Sequence, residues 1–137
     1  MHIMKQLSIF LKNRPGTLAA VCDHLREEGI NIVGFSVSDT VDHAVVRIVV
    51  DEPMKAVHLL GNAGVLVVEN DIIALNLRNE PGQLASLGNK LADAGINIEY
   101  AYGGLATDAK AGILYIRVSD VQKAFDVLSD DFAQQKK

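Results

Sequence analysis

The stretch that decides the fold reads Asn-Arg-Pro-Gly-Thr-Leu at residues 13–18. The chain carries a second version, Asn-Glu-Pro-Gly-Gln-Leu, at residues 79–84. Each version leads into a run with helical spacing of apolar residues, and each run closes on Gly-Ile-Asn-Ile, at residues 29–32 and again at residues 95–98. Two linked motifs that recur in the same order indicate a duplicated structural unit.

The spacing of the copies sets the domain organisation. Asn79 follows Asn13 by 66 positions, and Asn97 follows Asn31 by the same 66 positions. We therefore predict a first unit over residues 1–70 and a second unit over residues 71–137.

Working outward from the first copy, the residues before it predict a strand and the residues after it predict a helix. Apolar and polar residues alternate up to Leu11, which is the period of a half-buried strand. Pro15 disfavours helix in the residue before it and is accepted in a first helical turn. Gly29 supplies a helix stop. The predicted helix presents one apolar stripe, formed by Leu18, Val21, Cys22 and Leu25.

The remainder of the first unit completes a βαββαβ order. A strand over residues 30–38 changes its apolar phase near Gly34, which predicts a bulge. A nearly continuous apolar run over residues 44–50 predicts the next strand, and Pro53 after two acidic residues predicts a helix start. Residues 65–68 predict a fourth strand.

The second unit repeats this order but stops early. Its helix stripe is Leu84, Leu87, Gly88 and Leu91, its strand-to-strand turn is four residues longer, and Ser119 is the expected cap of its last helix. Residues 129–137 are polar and short, so we predict that the second unit lacks its last strand. The expected fold is α+β, with seven strands in antiparallel sheets and four helices. The missing strand should leave an unpaired sheet edge, which favours self-association.

Composition narrows the class of protein. The chain has 137 residues, 49% of them hydrophobic, so a buried core is expected. The net charge of −4 is divided equally between the two predicted units, and without a basic face nucleic acid is not an expected partner. No apolar run is long enough to cross a membrane and the start lacks a signal-peptide pattern, which predicts a soluble, cytoplasmic protein. The one cysteine excludes an internal disulfide framework.

Two βαββαβ-like units with Asn-x-Pro-Gly before the first helix and Gly-Ile-Asn-Ile at the next strand resemble the ACT domain. The resemblance covers nearly the whole chain as two tandem copies. It implies a ferredoxin-like fold and a non-catalytic, allosteric regulatory role in which a free amino acid binds, often between two paired ACT units. A homodimer, and a regulated enzyme or regulator as a further partner, are implied in the same way; no cofactor is expected.

The residues of the turn support such a site on physical grounds. A glycine at a helix start lets a ligand approach the backbone, and the first amides of the helix lack intrahelical partners at the positive end of the helix dipole. That position suits a carboxylate. Asn13 offers both a donor and acceptors, and we expect Asn31 to lie within reach of the same loop. Glu80 replaces Arg14 in the second copy and would disfavour an anion, so the first site is preferred.

The residues predicted to contact an amino acid come from both copies. By resemblance, ligand contacts are assigned to Asn13 and Asn31 and to Asn79 and Asn97. With the turn residues and the strand positions beside them, the full set is Asn13, Pro15, Gly16, Thr17, Leu18, Asn31 and Ile32 in the first copy, and Asn79, Gly82, Gln83, Leu84, Asn97 and Ile98 in the second.

Several plainer interpretations stay open. Asparagine before proline is a common turn residue, and Gly16 and Gly82 could only relieve crowding. The fold could equally serve as an interaction or assembly module without a ligand. Cys22 is expected to be a small core residue, and the four histidines lack metal-ligand spacing, so no metal site is predicted. Tyr100 and Tyr102 share one strand face and fit a pocket, an interface or plain packing. No nucleophile–base set indicates an enzyme.

Overall fold

The computed structural model describes residues 1–40 and 42–132, which form six strands and four helices. The strands are β1 (His2–Lys12), β2 (Ile32–Asp39), β3 (His43–Val50), β4 (Leu66–Arg78), β5 (Ile98–Gly103) and β6 (Ala111–Val118). The helices are α1 (Thr17–Glu27), α2 (Pro53–Asn62), α3 (Gln83–Asp93) and α4 (Val121–Phe132). The predicted α+β class is confirmed.

The strand β4 accounts for the difference from the seven strands predicted. The segment expected at residues 65–68 and the strand expected around Ile73 are one continuous strand of 13 residues. The polar residues between them, such as Glu69, are exposed or half-buried within the strand. Neither glycine nor proline interrupts this segment, so nothing in it ends the strand.

The chain divides into two compact units. The first is Lys5–Asn70, and the second consists of Met1–Met4 together with the chain from Asp71. The first four residues thus group with the second unit, whereas the sequence prediction placed them in the first. Residues 133–137, part of the polar end for which no strand was expected, lie outside the described residues.

In the first unit the strands follow the order β2-β3-β1-β4. Strands β1 and β2 both pair with β3 in antiparallel registers: Leu7 of β1 lies opposite Ile48 of β3, which in turn lies opposite Phe35 of β2. The register shifts between Ile32 and Gly34, which confirms the predicted bulge. The core lies between the helices and one face of this sheet, and its fully buried members include Leu7, Ile9, Leu25, Ala56 and Leu60.

In the second unit the order is β1-β4-β6-β5, with Ile73 of β4 opposite Ile116 of β6. As predicted, no strand follows α4 within the residues described up to 132. The expected unpaired edge is nevertheless wrong, because β1 lies beside β4 and Met1–Met4 belong to this unit. Met1 packs against its core, which includes Leu87, Leu91 and Leu128.

The set of buried residues on α1 and on α3 is smaller than the predicted apolar stripes. In α1 only Val21 and Leu25 are buried, and in α3 only Leu87 and Leu91. Leu18 is half-buried against the first core, but Cys22 is half-buried outside it, so its expected core role is wrong. Leu84 is 62% exposed.

At the start of α4, Asp120 rather than the predicted Ser119 caps the helix, since its Oδ1 accepts from the Lys123 amide at 3.1 Å. No helix in the described part of the chain is long and apolar enough to cross a membrane.

Candidate functional site

Both Pro-Gly turns have the same backbone geometry. Gly16 and Gly82 precede α1 and α3 with φ of 89° and 90°, in the left-handed region that favours glycine. A Cβ added at either residue would meet nothing within 4 Å. The glycines are therefore required by the conformation of the turn, and relief of crowding does not explain them.

Each turn leaves helix amides at the surface. The Thr17 amide reaches the Arg14 carbonyl only at 3.4 Å, and the Gln83 amide reaches the Glu80 carbonyl at the same 3.4 Å. For the next amide of each helix, on Leu18 and Leu84, no acceptor is found among residues 1–40 and 42–132. These amides lie at the N-terminus of each helix, which is the positive end of the helix dipole. An anionic group is favoured at this position.

Thr17 closes the first turn on the end of β1. Its hydroxyl oxygen lies 2.9 Å from the Lys12 carbonyl oxygen and 3.1 Å from that of Arg14. The one hydroxyl proton is thus directed at the backbone of the turn, and the oxygen keeps the capacity to accept. Gln83 takes this position in the second copy, so the two turns are held differently.

Asn79 holds a loop of its own unit. Its side-chain nitrogen lies 2.8 Å from the Ala109 carbonyl oxygen, 3.2 Å from that of Thr107 and 3.5 Å from that of Ala106. Its backbone amide donates to the Lys110 carbonyl at 2.8 Å. Because an amide nitrogen has two hydrogens, these carbonyls engage its donors. In the first copy, the Asn13 backbone amide donates to the Asp42 carbonyl at 3.2 Å.

Asn31 and Asn97 lie at the other end of their helices. Asn31 is hydrogen-bonded to Asp51 across the start of β2, and Asn97 is hydrogen-bonded in the same way to Ser119. An α1 of 11 residues separates this end from the Pro-Gly turn by about 16 Å. The expectation that Asn13 and Asn31 share one loop is therefore wrong within a unit. Ile32 and Ile98 pack against the cores beside these asparagines.

A cavity of about 210 Å³ opens at the second turn. Three of its side chains are large, apolar and exposed: Leu84 by 62%, Leu105 by 42% and Ile113 by 38%. Its lining comes from the end of β4, the turn, the start of α3, the end of β5 and the start of β6. The residues are Leu77, Arg78, Asn79, Glu80, Gln83, Leu84, Gly103, Gly104, Leu105, Gly112, Ile113 and Leu114.

Other concave and ionisable features lie elsewhere. A concavity at the C-terminal end of α1 is lined by Cys22, Arg26 and residues 29–32, so Asn31 belongs to a different surface from the Pro-Gly turns. On the second unit's sheet, Tyr102 stacks on Tyr115 with ring centroids 5.3 Å apart, and burial raises the pKa of Tyr115. No cluster of three metal-ligating side chains occurs in the part of the chain that the structure describes.

Sequence reasoning missed the far wall of the cavity. Gly103, Leu105 and Ile113 lie on or beside the connection from β5 to β6, and none was a candidate site residue. The available signal was the four-residue insertion in that connection, together with its glycines and exposed apolar residues. The insertion predicts a longer turn, but a pattern of spacing does not show that the turn folds back over the helix start.

Comparison with known protein families assigns the chain to a family. The model of the family described as "ACT domain pair" matches residues 1–135. The chain belongs to this family. The ACT domain pair accounts for the duplication, and its ferredoxin-like units confirm the predicted fold class.

Solved structures resemble this ACT domain pair over nearly its whole length. A Bacteroides thetaiotaomicron protein shares 32% identity, with a TM-score of 0.87, over 93% of this chain and 88% of that chain. The regulatory subunit of aspartate kinase from Thermus thermophilus, in its ligand-free form, shares 18% identity with a TM-score of 0.66, over 92% and 91%. Aspartate kinase from Synechocystis shares 18%, with a TM-score of 0.61, over 97% of this chain and 26% of that chain. No curated protein matches the sequence.

Proposed function

We propose that this ACT domain pair is a non-catalytic regulatory protein that binds a free α-amino acid at its Pro-Gly turns. The observation that carries the proposal is the cavity of about 210 Å³ at the start of α3, where the Leu84 amide meets no acceptor in the described chain. The aspartate kinase regulatory subunit of similar fold supports the regulatory role by analogy.

The turn offers a place for each part of an amino acid's head group. The α-carboxylate accepts from the Leu84 amide, with Gly82 leaving the approach to the backbone open. The α-ammonium is compatible with exposed Glu80 at the rim, so the residue that disfavours a bare anion suits a zwitterion. A volume below the roughly 300–1,000 Å³ of sites for drug-sized ligands fits a small metabolite.

At the first turn, the same role falls to Asn13, Pro15, Gly16, Thr17 and Leu18. Asn31 and Ile32, at the far end of α1, reach such a ligand only from another ACT unit whose β2 start lies beside the turn. Asn97 and Ile98 stand in the same relation to Gly82, Gln83 and Leu84. We therefore propose that the ligand binds between paired units, with a homodimer as the paired state.

Regulation then follows from differential affinity. A ligand that contacts two paired units stabilises the paired arrangement relative to any other. It shifts the population towards that arrangement only by the difference between its affinities for the paired and the alternative arrangement. The output passes to a regulated enzyme or regulator that recognises one arrangement. No step of this scheme needs catalysis, a metal or a cofactor.

The test is calorimetric titration of the folded protein with each common amino acid. We expect one or a few to bind with a Kd between millimolar and micromolar, about −4 to −8 kcal/mol. Light scattering with and without that amino acid should report a change of assembly. Absence of heat from every amino acid, with the protein folded by circular dichroism, contradicts the proposal.

A second candidate is an assembly module without a ligand. It is favoured by an apolar row on the edge strand β2, where Val33, Phe35 and Val37 are 48%, 68% and 47% exposed. The corresponding β5 residues are Glu99, Ala101 and Gly103. This candidate predicts that Phe35→Ser disrupts assembly and that no amino acid alters the assembly state.

A further inference from the structure

We infer that the cavity at the second turn selects an amino acid with an aliphatic side chain, and that Asn79 is a positioning residue that holds the selecting loop. The inference rests on the proposed function, since it names the class of amino acid that the same turn takes. Asn79 and Leu84 belong to the predicted binding set, whereas the β5–β6 connection that faces them carries no residue of that set.

The apolar wall is the first argument. Leu84, Leu105 and Ile113 expose large apolar surfaces to one cavity, and Leu77 and Leu114 line it further. The charged lining residues within the described chain are Arg78 and Glu80, both exposed beside the turn. Charge is thus available where a head group lies, and the opposite wall offers only apolar side chains and glycine backbone. Burying a polar side chain against such a wall is unfavourable unless it is hydrogen-bonded.

The packing of the loop is the second argument. Residues 103 and 112 pass so close to neighbouring backbone that neither accepts a side chain. A Cβ on Gly112 would lie 2.6 Å from the Gly104 carbonyl oxygen and 2.8 Å from Leu105 Cγ, and a Cβ on Gly103 would lie 2.3 Å from the Ile113 carbonyl oxygen. The Leu105 side chain therefore packs directly against Gly112 on β6, and this contact defines its position in the cavity wall.

Asn79 supplies the third argument. Its side-chain nitrogen lies within hydrogen-bond distance of carbonyls on residues 106, 107 and 109, immediately after Leu105. The residue that begins the Pro-Gly turn is thereby tied to the loop that faces it across the cavity. Asn79 acts on the ligand through Leu105, by fixing the distance between the helix start and the apolar wall.

The loop that carries Leu105 has no full counterpart in the sequence of the first copy. The connection from β2 to β3 is four residues shorter than that from β5 to β6, and no residue of the first copy aligns with the insertion. Selection by an aliphatic wall is therefore a property of the second turn, and the two turns of the chain differ in the ligands they accept.

The binding test uses L-leucine, L-isoleucine, L-valine and L-methionine against L-serine, L-aspartate, L-lysine and L-phenylalanine. We expect at least one aliphatic amino acid to bind tenfold or more tightly than every polar one, and more tightly than phenylalanine. Leu84→Ala and Leu105→Ala should each weaken that binding about tenfold, because each removes several methyl and methylene contacts. Leu66→Ala is the matched control, since Leu66 is 64% exposed on β4 and does not line the cavity.

Hydrogen exchange separates the positioning role of Asn79 from the direct ligand contact of Leu105. Asn79→Asp keeps the size of the side chain but removes its donors, so exchange at residues 104–110 should rise and aliphatic binding should weaken together. Leu105→Ala should weaken binding with little change in that exchange. If Asn79→Asp weakens binding and leaves the loop exchange unchanged, Asn79 contacts the ligand directly and its positioning role is wrong.

The outcomes distinguish this inference from the proposed function. Equal or tighter binding of a polar amino acid, or of phenylalanine, overturns the aliphatic selection and leaves the proposed function standing. Aliphatic binding unchanged in both Leu84→Ala and Leu105→Ala also overturns the inference alone. If no amino acid binds, both are wrong.

Discussion

Asn31 and Asp51 hold each other through two hydrogen bonds, with the Asn31 amide 3.0 Å from Asp51 Oδ1 and the Asp51 amide 3.1 Å from the Asn31 carbonyl oxygen. In the second unit Asn97 and Ser119 form the same pair, at 3.1 Å and 3.0 Å. A carboxylate and a hydroxyl thus serve one structural task, which is to fasten the start of β2 or β5 to the residue after the neighbouring strand.

Removing the side-chain acceptor of each pair should show how much its hydrogen bond contributes to the free energy of unfolding. Asp51→Ala leaves the Asn31 amide without its side-chain partner and should lower the free energy of unfolding by about 1–2 kcal/mol. Ser119→Ala should have a smaller effect of the same sign, about 1 kcal/mol, because the lost acceptor is uncharged. Urea unfolding monitored by circular dichroism measures both changes. Asp51→Asn, which keeps an acceptor oxygen, is the control and should recover most of the loss.

The turn glycines should resist substitution. Gly16→Ala and Gly82→Ala force a side chain into the left-handed region and should each destabilise the protein by about 1–2 kcal/mol. Gly88→Ala is the matched control, since Gly88 lies inside α3 with open space at its Cβ and alanine favours helix by about 1 kcal/mol. In thermal unfolding, Gly16→Ala and Gly82→Ala should therefore lower the melting temperature, and Gly88→Ala should raise it. A stabilised Gly82→Ala variant would contradict the role assigned to the turn.

Deleting residues 2–4 should loosen the second unit more than the first. These residues belong to β1 and lie with the second unit, so their loss removes strand pairing beside β4. Hydrogen exchange should rise in α3, α4 and β6 and change little in α1 and α2. A uniform increase across both units would show that the segment supports the whole chain equally.

Alkaline pH should destabilise the protein through Tyr115. Burial raises the pKa of its phenol above the ordinary value of 10.0, so the folded state keeps the proton at a pH where the unfolded state loses it. The stability that depends on this proton is complete below pH 10 and falls as pH rises from 10 towards the folded pKa. Tyr115→Phe should flatten the fall in unfolding free energy above pH 10, whereas Tyr100→Phe serves as the comparison. An unchanged slope in Tyr115→Phe would contradict this assignment.

Periodicity and repetition predicted most of the fold. The alternation before Asn13, the glycine stops and the constant spacing of the copies are local signals, and the helices they predicted are present. One prediction that failed concerned the sheet edge of the second unit. Its missing strand comes from Met1–Met4, about 70 residues away along the chain, and no local pattern carries that information.

The candidate site was predicted in part for a similar reason. The Pro-Gly turns stand where expected, with their glycines in the left-handed region. Asn31 and Asn97 were expected beside these turns because the spacing in the sequence does not show at which end of the helix a residue lies relative to the turn. The helix instead carries each asparagine to the opposite end of its unit. The cavity wall at Leu105 arises from how an inserted loop folds back, which depends on the Asn79 hydrogen bonds and on close backbone contact at Gly112.

The grouping of the first four residues with the second unit has a consequence for biosynthesis. On the ribosome, every part of the first unit has emerged once Asn70 is outside the exit tunnel, so its core can close during translation. In the second unit, by contrast, residues 1–4 can join the core only after α3 and α4 have been synthesised. Assembly of the second unit thus includes the closure of a loop formed by Lys5–Asn70, which slows that step relative to a contiguous domain of equal size.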